Sequence, residues 1–241
     1  HSHGRSVLRF MEFGHVFRRT DRRGTLVPGY SERELLTLTV AGPHTEAAWD
    51  TTPRPADFFD LKGALESFLD ALHFPGVVFE PSEQRTPVAA YYARMRAGEV
   101  DLGALGRLSD QTAGDYGIKE PVYFAELDWG ALTTLASPAW RRRYTPVNRF
   151  PVVERDLAVV VDRDAPVGAL MASIQESGDT LLQEVAVFDI YRGNEIGEGK
   201  KSVAFSLRFG ADRTLRDQEV DARMAAVIKR LEKEHHAQLR T

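Results

Sequence analysis

The chain contains no cysteine among its 241 residues. Disulfides, thiolate zinc sites and cysteine nucleophiles are therefore excluded together. The absence agrees with a reducing compartment, so a cytoplasmic location is the default expectation. The seven histidines are scattered, and neither His1 with His3 nor His235 with His236 has sequence neighbours that would complete a metal site. We expect no bound metal.

Long apolar runs are also missing. No segment approaches the roughly 20 apolar residues that cross a bilayer, and the start HSHGRSVLRF lacks the apolar stretch of a signal peptide. A membrane is therefore not an expected partner. A strong excess of positive charge is absent as well, because the formal net charge is -4 at pH 7. We do not expect DNA as a partner, and any contact with RNA must come from a local patch.

The first half of the chain is typical of an antiparallel α+β domain. Strand-like runs cover residues 10–17 and 35–40, and four more short ones follow further along, with little helix between them. One helix is predicted with Asp57 as its N-cap and Pro75-Gly76 as its stop. Its apolar residues recur at helical spacing: Phe58, Leu61, Leu65, Phe68, Leu69 and Leu72.

The second half begins after SPAWRRRYTPVNRFP, a stretch with three prolines and an arginine run that is typical of a linker. We place the domain boundary near Val147, giving domains 1–147 and 148–241. The predicted strands are 157–161, 184–190, 202–209 and a short final one in AQLR. Helices are predicted after Asp164-Ala-Pro and through Val220 to Leu231. The order β-α-β-β-α-β is that of a ferredoxin-like fold, in which both helices cover one sheet face.

The run Gly-Lys-Lys-Ser at 199–202 precedes the third of these strands. A phosphate-binding loop needs a glycine five positions earlier, where this chain has Asn194, and a helix afterwards, where this chain has a strand. Two interpretations remain open. The run is a hairpin connection whose glycines permit positive φ, leading to a solvated sheet face, or that face binds single-stranded RNA.

Several ordered motifs then identify a resemblance. The segments RFPVVERDLAVVVD, EVAVFDIYRG, GEGKKSVAFSLRF, ADRTLRDQEV and AQLR resemble the ferredoxin-fold anticodon-binding domain that closes the β chain of bacterial phenylalanyl-tRNA synthetase. RFMEFGHVF and DFFDLKGALESFLDAL look like the preceding domain of that chain, a module of the class II synthetase type. The resemblance implies an α+β fold: an antiparallel, non-catalytic class II-like domain followed by a ferredoxin-like βαββαβ domain.

The resemblance also implies a role. The family enzyme is an α2β2 heterotetramer that attaches phenylalanine to tRNA(Phe) with ATP and Mg²⁺, and its aminoacylation site lies on the α chain. Residues 1–147 agree, because they contain neither an Arg-x-Glu nor a Gly-x-Gly-x-x-Arg motif. We therefore expect a C-terminal fragment with no catalytic residues and no cofactor of its own. Its expected partners are tRNA(Phe) and the α subunit.

Two residues match family positions that read the first anticodon base, Asp189 in VFDIYRG and Ser202 in KKSVAF. A carboxylate can accept hydrogen bonds from the Watson-Crick edge of guanine, and a hydroxyl can donate or accept them. Charge and position add four candidates for phosphate or stacking contacts: Lys200, Lys201, Arg208 and Arg240. The alternative is a stand-alone ferredoxin-like module that binds RNA or a small regulatory molecule, since fold alone does not decide function.

Overall fold

The computed structural model describes residues 7–21, 27–72, 74, 76–84, 86–136 and 149–240. The chain divides into two compact units, His1–Arg143 and Tyr144–Thr241. The boundary predicted at residue 147 and the arginine run at 141–143 lie outside the described residues. No helix in the described parts of the chain is long and apolar enough to cross a membrane.

The first unit is built on a six-stranded antiparallel sheet with the order β1-β2-β6-β5-β4-β3. Its strands are β1 (Leu8–Arg19), β2 (Tyr30–Ala41), β3 (Val77–Pro81), β4 (Ala89–Ala97), β5 (Val100–Leu108) and β6 (Val122–Asp128). Its helices are α1 (Phe58–Ala71), α2 (Asp110–Asp115) and α3 (Trp129–Ala136). The antiparallel α+β fold class is as predicted, whereas α2 and α3 were not predicted from the sequence.

The predicted helix α1 begins where its capping residues require. Asp57 accepts hydrogen bonds from the backbone N–H groups of Phe59 and Asp60, and the Asp60 carboxylate accepts one from the backbone N–H of Asp57. This reciprocal arrangement satisfies donors that a helix N-terminus leaves unpaired. Leu61, Leu65 and Leu69 then project from one face into the core of the unit.

The second unit is a four-stranded antiparallel sheet with the order β10-β7-β9-β8. Its elements are β7 (Val153–Asp162), α4 (Val167–Ser177), β8 (Leu182–Tyr191), β9 (Lys200–Phe209), α5 (Asp217–His235) and β10 (Gln238–Leu239). The ferredoxin-like order of elements is therefore confirmed. Alternation along the central strand β9 sends Val203, Phe205 and Leu207 into a core shared with the two helices, and all three are fully buried.

Candidate nucleic-acid interface

The sheet face turned away from α4 and α5 carries the residues of interest. Residues on this face of β9 alternate with the core set, and they are Lys200, Ser202, Ala204, Ser206 and Arg208. Ser202 lies opposite Val160 on β7 and opposite Tyr191 on β8. It is only 3% exposed although it lies on the face that the helices leave uncovered. Neighbouring side chains must therefore cover it.

Asp189 reaches the same face through an irregularity in β8. Val187 lies opposite Phe205, but Asp189 lies opposite Ala204, so Phe188 is an extra residue in the ladder. This β-bulge reverses the alternation, because strict period two from Val187 would turn Asp189 toward the core. Phe188 is accordingly 60% exposed. Strand alternation counted from the sequence alone, without the bulge, therefore gives the wrong face for either Val187 or Asp189.

Asp189 and Ser202 form a diagonal pair on this face. Asp189 is opposite Ala204, and Ser202 is two residues along the same strand. Diagonal neighbours in an antiparallel pair lie roughly 7–8 Å apart, within the reach of one bound group. Asp189 is exposed. The accessible carboxylate can accept hydrogen bonds from a nucleobase, and the neighbouring hydroxyl can donate one to it.

Tyr191 and Arg240 complete this corner of the sheet. The Arg240 guanidinium carbon lies 5.0 Å from the centre of the Tyr191 ring, which is a cation–π contact. The backbone N–H of Arg240 donates to the Ala158 carbonyl at 2.9 Å, which fixes the C-terminal segment beside β7. Sequence reasoning missed Tyr191. Its signal was its spacing of two residues after Asp189, which puts both side chains on one strand face, just beyond the predicted strand 184–190.

The two lysines of the Gly-Lys-Lys-Ser run point to opposite faces. Lys200 lies on the face with Ser202, where its Nζ is 2.7 Å from Oδ1 of Asp162 and lowers the pKa of that carboxyl. Lys201 is 6% exposed, and its Nζ donates to the Ala165 carbonyl at 2.6 Å. Burial lowers the pKa of the Lys201 ammonium. Lys201 is therefore not brought together with Ser202, since successive strand residues alternate between faces.

Arg208 lies on the correct face but at its far end. It is six residues from Ser202, or roughly 20 Å along an extended strand. Its Nη1 is 2.7 Å from Glu184 Oε2 and its Nε is 3.3 Å from Glu154 Oε1, so two carboxylates neutralise it. The structure brings together Asp189, Ser202, Lys200 and Arg240 from the predicted set, adds Tyr191, and leaves Lys201 and Arg208 apart.

The connection between β8 and β9 has the backbone that its glycines predict. A 3₁₀ turn at Asn194–Ile196 is followed by Gly197 at φ 93° and Gly199 at φ 73°. Both angles lie in the left-handed region that glycine adopts without strain. In the described parts of the chain, no group of three or more His, Asp or Glu side chains could hold a metal ion.

Comparison with known families identifies both parts of the chain. Residues 148–240 match the family model of the ferredoxin-fold anticodon binding domain, and residues 1–129 match that of the phenylalanyl tRNA synthetase beta chain CLM domain. The two matches define the class: an aminoacyl-tRNA synthetase chain that carries an anticodon-binding domain. The chain belongs to the phenylalanine–tRNA ligase β subunit family.

Individual relatives cover nearly the whole chain. It is 48% identical over 245 residues to the phenylalanine–tRNA ligase beta subunit of Salinibacter ruber, which covers 99% of this chain and 30% of the relative. The corresponding subunit of Dehalococcoides mccartyi (strain ATCC BAA-2266) is 38% identical, over 97% of this chain and 28% of the relative. The phenylalanine–tRNA ligase beta subunit of Bacillus subtilis is 36% identical, over 87% of this chain and 26% of the relative. The chain thus spans less than a third of the length of these relatives, which are subunits of a ligase.

Proposed function

We propose that the second unit binds the anticodon of tRNA(Phe), and that Asp189 and Ser202 read the first anticodon base. The observation that carries this proposal is the corner formed by Asp189, Tyr191, Ser202 and Arg240 on the sheet face without helices. It joins hydrogen-bonding groups, an aromatic ring and a cation, the set that recognises unstacked RNA bases. Lys200 at the edge of this corner is the phosphate contact closest to Ser202.

The first unit is proposed to bind the α subunit of the ligase. The edge strand β1 carries large apolar side chains in contact with solvent, with Phe10 62%, Met11 75% and Phe17 67% exposed. The strand has twelve residues, and its outer edge is unpaired in the described sheet. A long edge strand with exposed apolar side chains is typical of a surface that another protein covers. ATP and Mg²⁺ would be used at the α subunit, where phenylalanine is attached to tRNA(Phe).

The anticodon proposal is tested by binding of RNA stem-loops. Fluorescence anisotropy compares the tRNA(Phe) anticodon stem-loop with one whose first anticodon base is changed. Asp189→Ala and Ser202→Ala should each remove roughly 1–3 kcal/mol of preference for the correct base and should change binding of the altered loop much less.

Matched controls come from the same sheet face. Asp156 and Ser206 lie opposite each other on β7 and β9. Both are away from the corner formed by Asp189, Tyr191, Ser202 and Arg240, called the Tyr191 corner below. Asp156→Ala and Ser206→Ala should leave the preference unchanged. Equal binding of both loops by the unaltered chain would refute the anticodon proposal.

The α-subunit proposal is tested by co-expression with the α chain. Met11→Lys and Phe17→Lys should weaken co-purification, because each places a charge in the proposed apolar contact. Trp49→Lys is the control, since Trp49 is 98% exposed at a turn outside β1. Co-purification that resists both β1 substitutions would exclude this strand as the contact.

A further inference from the structure

Gly193 lies two residues after Tyr191, where the chain leaves β8. A Cβ atom at residue 193 would lie 2.1 Å from Tyr191 Oη and 2.3 Å from Cζ. Both distances are far inside van der Waals contact, so the ring can occupy its position only because residue 193 lacks a side chain. Gly193 is not among the residues with positive φ. Space for the ring, and not backbone conformation, requires glycine here.

Arg240 also contacts the ring, through its guanidinium group. Tyr191 belongs to β8, whereas Arg240 follows the edge strand β10, and both β7 and β9 lie between those two strands. Neighbouring strands are roughly 4.8 Å apart, so the two side chains meet above the intervening backbone. Beneath them Ser202 is 3% exposed and Ala204 is 9% exposed. Tyr191 lies opposite Ser202, and the backbone of Arg240 is bonded to Ala158, which lies opposite Ala204, so the pair lies beside Ser202 on the face without helices.

We infer that Gly193 is a positioning residue that keeps Tyr191 stacked on Arg240 beside Ser202. This inference rests on the proposed function and deepens it. A ring fixed before RNA arrives loses little conformational freedom on binding, which favours affinity. With any larger residue at 193 the ring must rotate away, and the fold need not change because the closest atom is the end of a side chain.

The first test is spectroscopic and needs no RNA. In the unaltered chain the Tyr191 ring should shift the Arg240 side-chain NMR signals upfield, because aromatic rings shield protons above their faces. Gly193→Ala should remove most of that shift, as Tyr191→Ala does. Loss of a signal in Arg240→Gln assigns the Arg240 resonances.

The second test is binding of the tRNA(Phe) anticodon stem-loop. Gly193→Ala should weaken binding about 5- to 20-fold, a part of the loss that removal of a stacking ring produces. In a Tyr191→Ala background the same substitution should have no further effect. Gly168→Ala is the matched control, because Gly168 lies in α4 and a Cβ there meets nothing within 4 Å.

The outcomes separate the inference from the proposed function. Unchanged Arg240 signals and unchanged affinity in Gly193→Ala would overturn the inference. An equal loss of affinity with and without Tyr191 would also overturn it, because Gly193 would then act through the loop itself. If the unaltered chain does not prefer the correct anticodon, the proposed function fails, while the NMR comparison still decides whether Gly193 positions the ring.

Discussion

At the scale of single residues, the Asp60 carboxylate of the first unit accepts several hydrogen bonds. It accepts hydrogen bonds from Arg54 Nη1 at 2.8 Å and Nη2 at 2.5 Å, and from the backbone N–H of Asp57 at 2.9 Å. Its side chain is 10% exposed. The hydrogen bonds from Arg54 lower the pKa of Asp60 from 3.8 to about 2. Bidentate pairs of this kind are stronger than neutral hydrogen bonds.

Asp60→Asn should therefore destabilise the first unit by roughly 1–3 kcal/mol at pH 7. Because the folded pKa lies below the ordinary value, the stabilisation by Asp60 is complete above about pH 4 and is lost as the pH falls toward 2. Tryptophan fluorescence during urea unfolding measures this, since Trp49, Trp129 and Trp140 all lie in His1–Arg143. Asp70→Asn, at the exposed other end of α1, is the control. Equal midpoints for the two variants would contradict the prediction.

For single residues of the candidate site, strand alternation predicts which face of the sheet a side chain lies on, but not which side chains it contacts. The period of two in β9 predicted the face of Ser202, and the same period explains why Lys200 and Lys201 separate. The contact between Tyr191 and Arg240 was not predictable, because it joins two elements distant in sequence and depends on the space left by Gly193. Arg208 illustrates a further limit: it was predicted as a contact from its charge and position, but its two glutamate partners come from other strands.

At the scale of elements, the beginning of α5 depends on one glutamate. Glu219 accepts a hydrogen bond from the backbone N–H of Arg216 at 3.0 Å and pairs with Arg213. The hydrogen bond from Arg213 is the main cause that lowers the pKa of Glu219 from 4.5 to about 2. An acid in the first turn also interacts favourably with the helix dipole. The pair therefore stabilises the first turn above pH 4.5, and this effect disappears as the pH falls through about 2.

Glu219→Gln should accelerate hydrogen exchange of the backbone amides in the first turn of α5 by a few fold at pH 7, because local opening becomes easier. Glu232→Gln, on the exposed surface near the other end of the helix, should leave those amides unchanged. The carboxyl carbon signal of Glu219 should titrate near pH 2, and Arg213→Gln should move its midpoint toward 4.5. A midpoint that stays low in Arg213→Gln would show that another group stabilises the charge.

Elements with strong local signals were predictable, and elements that depend on packing were not. Helix α1 has an N-cap at Asp57 and a clear apolar spacing. Helix α3 has a weaker signal: Asp128 caps it by accepting a hydrogen bond from the backbone N–H of Ala131 at 2.9 Å, but the helix is short and contains Gly130 and two β-branched threonines. It forms where Leu132 and Ala136 are buried against the sheet. The bulge at Phe188 likewise belongs to the pairing of two strands, and one strand's sequence does not reveal it.

At the scale of the whole molecule, charge limits how RNA can bind. The net charge is -4, and the uncovered sheet face of the second unit carries more carboxylates than cations. The carboxylates are Glu154, Asp156, Asp162, Glu184 and Asp189, and the cations are Lys200, Arg208 and Arg240. Two of these cations are paired with carboxylates. Binding must therefore depend on base contacts at the Tyr191 corner more than on phosphate attraction.

The salt dependence of stem-loop binding measures this balance. Each phosphate neutralised on a single strand contributes about -0.7 to the slope of log K against log salt. With Lys200 and Arg240 as the main contacts, we expect a slope of roughly -1 to -3, well below that of proteins with 6–10 phosphate contacts. Lys200→Gln should make the slope shallower by about 1. Ser202→Ala should instead leave the slope unchanged and lower the preference for the correct first anticodon base at every salt concentration. A slope steeper than about -5, with no loss of preference in Ser202→Ala, would mean that the chain holds RNA by its phosphates and not by its bases.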